Sequence, residues 1–128
     1  MQVHQLAALY GLSESQIEPI FELVGGHPYL IRIALYNVAS GASSIEQIIQ
    51  NAATEVGLFG KHLTTRLGKV EKDAHLNEVL RSLVNSPQPL RFDLATTTKL
   101  DSMGLVLRTD HGVKIRNQLY RRYFRDRL

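Results

Sequence analysis

The segment Gly25-Gly26-His27-Pro28 joins two apolar stretches through a corner whose residue types can do chemistry. Gly25 and Gly26 can take the left-handed conformations that close a helix, and Pro28 fits a helix's first turn, where its missing N–H costs nothing. With no side chain over the glycines and free amides at the new helix start, an anionic or planar ligand can come close. His27 stands where a capping residue would stand. The remaining histidines, His4, His62, His75 and His111, are scattered and form no i, i+4 pair around an acid, so the spacing provides no zinc site. Ser43 and Ser44 follow Gly41 without the second glycine of a nucleophile elbow. The stretch Gly57-Leu58-Phe59-Gly60-Lys61-His62 comes nearest to a phosphate-binding loop, yet it has the wrong spacing, no hydroxyl after Lys61 and no run of Val and Ile before it. It reads as a bend inside a helical region. A chain without cysteine has neither a disulfide framework nor a thiolate metal site. Nothing in these constellations supports catalysis by this chain alone.

The elements that must hold the corner are helical. Val3, Leu6, Ala7 and Tyr10 recur at helical spacing up to Gly11, and Ser13 with Gln16 forms a capping-box signature for the next helix, with Ile17, Ile20, Phe21 and Val24 as its buried face. Pro19 disfavours a helix interior, which moves the expected start toward Ile17. After the corner, the apolar run 29–39 suits a largely buried helix, with Tyr29 and Tyr36 expected in the core. Residues 40–43 end it. Ser44 and Gln47 cap a short helix through Ala52, and helix continues over 54–67.

The character changes near 68–73. Leu76, Val79, Leu80, Leu83 and Val84 form one helix face, which must end before Asn85-Ser86-Pro87-Gln88-Pro89. A second short helix covers 94–103, and 105–108 and 113–116 flank Asp110-His111-Gly112 as a hairpin. Leu119, Tyr120, Tyr123 and Phe124 then clamp a closing helix. Helix, helix, hairpin and helix is the order of a winged helix, here degenerate because two prolines occupy the place of its middle helix. The candidate reading helix offers Thr96, Thr97, Thr98, Lys99 and Asp101, a weak set for reading bases. Arg108, Lys114, Arg116, Arg121, Arg122, Arg125 and Arg127 make the last stretch basic. That suits nucleic acid or acidic protein, but a solvated face explains it better, with Arg121 and Arg125 sharing the exposed side of the last helix.

Several segments resemble the AAA-like and STAND families of signalling NTPases, and the cyanobacterial AAA-like domain in particular: 6–12 (LAALYGL), 24–35 (VGGHPYLIRIAL), 54–63 (TEVGLFGKHL), 100–105 (LDSMGL) and 119–128 (LYRRYFRDRL). The resemblance implies a mainly α chain, a helical lid bundle over 1–68 followed by a degenerate winged helix with one β-hairpin over 69–128. It also implies that Gly26, His27 and Pro28 face the adenine and ribose of ATP or ADP in a full-length parent. Walker A and Walker B motifs, which bind phosphate and Mg²⁺, are absent from this sequence. The expected role is therefore that of a C-terminal regulatory portion, not catalytic alone and without a cofactor of its own. It would close over nucleotide held by a missing N-terminal NTPase core and relay its state to effector or sensor domains. The alternatives are a small winged-helix DNA-binding regulator and a protein-interaction module. A net charge of +3, ordinary hydrophobic content of 44% and no membrane-length apolar run predict a folded cytoplasmic protein, with no membrane partner and nucleic acid disfavoured.

Overall fold

The computed structural model describes residues 8–128, so the helix read around Val3, Leu6 and Ala7, and His4 with it, lies outside the described residues. The chain is mainly α with one antiparallel hairpin, as the patterning predicts, and it divides into two compact units, Met1–Gly60 and Lys61–Leu128.

In the first unit, α1 (Glu14–Val24) starts at a complete capping box: the Gln16 amide donates to Ser13 Oγ, and the Ser13 amide donates to Gln16 Oε1 at 2.8 Å. Pro19 sits inside this helix and does not shift its start to Ile17. The amide it lacks would have bonded the carbonyl of Ser15, and Ser15 is exposed, so water can serve that carbonyl. Ile17, Ile20, Leu23 and Val24 form the buried face. α2 (Pro28–Ala39) buries Leu30, Ile31, Ala34 and Leu35, and α3 (Ile45–Asn51) starts at a second complete capping box, Ser44 with Gln47. α1 packs on both α2 and α3.

Residues 52–59 form turns rather than the helix expected over 54–67. Thr54 Oγ1 donates to the Asn51 carbonyl at 2.7 Å and accepts from the Gly57 amide, which folds the chain back sharply. A Cβ on Gly57 would collide with the Asn51 carbonyl, and one on Gly60 with that of Glu55. The two glycines are thus spaced for a tight turn between helices, not for a bend within one.

The second unit opens with α4 (Gly60–Glu71), whose first residue is the last of the first unit; α4 runs through Gly68, and the change of character near 68–73 falls at the α4–α5 junction. α5 (Ala74–Val84) is capped by Asp73 and α6 (Leu94–Ser102) by Asp93, each carboxylate accepting an amide three residues on. β1 (Val106–Thr109) and β2 (Gly112–Ile115) pair antiparallel, with Val106 opposite Ile115 and Thr109 opposite Gly112. Leu90, just after the second proline, adds a one-residue bridge to β2 through two backbone bonds with Val113, of 2.9 and 2.8 Å. α7 (Gln118–Arg127) buries Leu119, Tyr120, Tyr123 and Phe124 and packs against α5 and β2.

Candidate functional site

At the α1–α2 corner, the Gly25 amide closes α1 on the Phe21 carbonyl at 2.8 Å, with φ +64°. That backbone region belongs to glycine. Gly26, by contrast, does not take a positive φ. It is exposed, and among the described residues nothing lies within 4 Å of its Cβ direction, so its value to a ligand is open space. His27 is the N-cap of α2 by backbone, its carbonyl accepting from the Ile31 amide at 3.0 Å, and Pro28 occupies the first turn. The imidazole makes no capping hydrogen bond, and no acidic residue lies in that turn. Ser13, Ser44, Asp73, Asp93 and Asn117 all cap their helices with a side chain. Among the described residues, then, no side-chain cap and no first-turn acid meets the positive end of α2, which lies beside an exposed glycine and an exposed proline.

Tyr29 and Tyr36 are 54% and 64% exposed, against the expectation that they lie in the core. With exposed Arg32 they mark the outer face of α2, opposite Leu30, Ile31, Ala34 and Leu35. Arg32 is the one Lys or Arg of residues 1–60, and its interruption of the apolar run was the signal that this helix has a wet side. Two rings and a guanidinium thus follow the corner along one face, chemistry that suits a planar, anionic ligand.

The model of the AAA-like domain family matches residues 1–126. The chain belongs to the AAA-like domain family. No curated protein and no solved structure gives a significant match.

The other chemistry-bearing residues of this AAA-like domain do structural work. Gly57 to His62 follow α3 and a turn and run into α4, with no strand before them among the described residues. His62 is buried and shares a 2.7 Å hydrogen bond with Tyr120, their rings stacked 5.9 Å apart. Burial pushes the Tyr120 phenol above its ordinary value, against the pull of the Arg66 and Arg116 guanidiniums. His75 bonds Thr96 at 3.2 Å, and His111 is exposed in the hairpin turn. Arg121 is not on the solvated face assigned to it: its Nη1 donates to the carbonyls of Val84 at 2.8 Å and Ser86 at 3.2 Å, closing the end of α5. Arg122 and Arg125 are exposed. Arg127 lies 3.8 Å over the Tyr123 ring. Among the described residues, no group of His, Asp and Glu has metal-ligand geometry, and no helix is long and apolar enough to cross a membrane.

Proposed function

We propose that this AAA-like domain is the C-terminal regulatory portion of a STAND-type P-loop NTPase, closing over nucleotide that an N-terminal core holds and relaying the nucleotide state to attached domains. The observation that carries the reading is the corner itself: an open Gly26, an exposed Pro28 and an α2 N-terminus that, among the described residues, has no side-chain cap and no acid in its first turn. Gly26, His27 and Pro28 would face adenine and ribose, with Mg²⁺ and the triphosphate held by the core. The second unit then reads as a degenerate winged helix. The order α5, bridge at Leu90, α6, hairpin and α7 supports this, since a short strand between helices pairs with the wing.

A lid supplies one wall of a site, while the phosphates carry most of the charge and need the core's loop and metal. The isolated chain should bind ATP or ADP weakly or not at all, and should not hydrolyse ATP. Titration calorimetry with Mg-ATP tests this, and submicromolar binding or turnover that survives rigorous purification overturns it. Joined in frame to a core that carries Walker A and Walker B motifs, the domain should slow nucleotide release.

A further inference from the structure

In the second unit, an open cleft of about 360 Å³ lies between the start of α6 and the hairpin. Its lining mixes apolar side chains, Leu90, Phe92, Leu94 and Val113, with Arg91, Arg108 and one acid, Asp110. Leu94 is 75% exposed, a large apolar side chain left in water beside two cations.

The two guanidiniums are positioned rather than loose. Arg108 donates from Nε to Asp101 at 3.1 Å, which orients the fork and leaves its Nη edge for another acceptor. Arg91 donates from Nη2 to the Asp110 carbonyl at 3.2 Å, and its stem passes over Gly112, where a Cβ would meet it. The surrounding unit adds a long-range field. Residues 61–128 hold fourteen Lys and Arg against seven Asp and Glu, net +7, while residues 1–60 hold one against five, net −4.

We propose that this cleft docks a protein segment that presents carboxylates beside apolar side chains. The two forks would take the carboxylates, since guanidinium geometry matches a planar oxyanion bidentately, and the apolar side chains of the lining would take an aromatic or aliphatic neighbour. A macromolecular segment fits better than a small molecule, because an open cleft with a projecting Leu94 cannot bury most of a small ligand. The field of a +7 unit favours an acidic partner and repels a basic one. This surface lies outside the α1–α2 corner, so the proposal stands or falls independently of nucleotide.

The test uses the full chain and a fluorescein-labelled peptide in which Asp alternates with Phe and Leu. Anisotropy should show saturable binding, and the Lys-for-Asp counterpart should not bind. Arg91→Ala with Arg108→Ala should weaken binding at least tenfold, as should Leu94→Ser alone, with circular dichroism unchanged. Arg108→Lys keeps the charge but not the fork and should recover only part of the loss. Amide shifts in ¹⁵N spectra should centre on Thr97, Asp110 and Gly112. Absence of binding at millimolar peptide, shifts centred elsewhere, full recovery with Arg108→Lys, or equal competition by inorganic phosphate would each overturn the proposal.

Discussion

At Pro28, structure and function make different demands on one residue. A proline in a helix's first turn stabilises mainly by restricting the unfolded chain, so Pro28→Ala should cost about 0.4–1 kcal/mol in urea unfolding and leave the far-ultraviolet spectrum unchanged. In a parent carrying the NTPase core, the same change should speed nucleotide release. An unfolded variant with unaltered retention in the parent would make the corner purely structural. Tyr120 behaves differently, because its phenol is raised by burial before Arg66 and Arg116 pull it back. In unfolded chains a tyrosine loses its proton near pH 10.0, while the folded chain still holds it, so the contribution of Tyr120 to stability is constant below that value and falls as pH rises beyond it. Tyr120→Phe should remove that alkaline loss, read by urea unfolding at about pH 8 and about pH 11. At neutral pH it should still cost about 1–3 kcal/mol, because a buried His62 nitrogen loses its 2.7 Å partner.

Among the elements, the hairpin depends on one glycine for two reasons. Gly112 has φ +127°, and a Cβ there would also strike the Leu90 carbonyl, whereas Gly104, at φ +71°, has open space around it. Gly104→Ala should cost about 1–2 kcal/mol of backbone strain. Gly112→Ala should cost more and should detach the Leu90 bridge, visible as faster amide exchange at Leu90 and Val113. The carboxylates that start α5 and α6 give the acid limb of stability: Asp73, through its bond to Lys99, and Asp93, through its bond to Thr96, are both held below the usual 3.8. Their contribution is present above that value and is lost as pH falls through the lower folded one. These elements show what is legible in a sequence. The capping boxes at Ser13 and Ser44 and the Asp110-His111-Gly112 turn are set by residues within a few positions of one another, and the patterning finds them. The Leu90 bridge is a single residue behind two prolines, and His62 and Tyr120 meet across 58 positions, so local pattern carries no trace of either. The corner was legible as a corner. Its aromatic flank was not, because the period of α2 does not say which side is covered, and only Arg32 marks the wet one.

Across the whole molecule, charge is segregated, with net −4 on residues 1–60 and +7 on residues 61–128. A field of that sign attracts any polyanion, so the question for DNA is whether anything in the second unit reads sequence. The exposed positions of α6 are Leu94, Ala95, Thr98, Lys99, Asp101 and Ser102, and Lys99 is held 2.6 Å from Asp73. That leaves no Arg, Asn or Gln to meet a base edge on this helix, and Asp101 would face phosphate with the wrong charge. Duplex binding should therefore be sequence-independent and weak, with dissociation constants of about 10⁻⁴ to 10⁻⁶ M at physiological salt, as is usual for contacts to phosphate alone. Arg122 and Arg125 are the residues to neutralise, since both are exposed on α7, whereas removing Arg121 would uncap α5 and confound the result. If they touch phosphate, the double alanine variant should lower the salt slope by about one unit per lost contact, measured by anisotropy on random and selected duplexes. Nanomolar affinity with a sequence preference would require a reading surface that α6 does not have, and would favour a DNA-binding regulator over a nucleotide-linked relay.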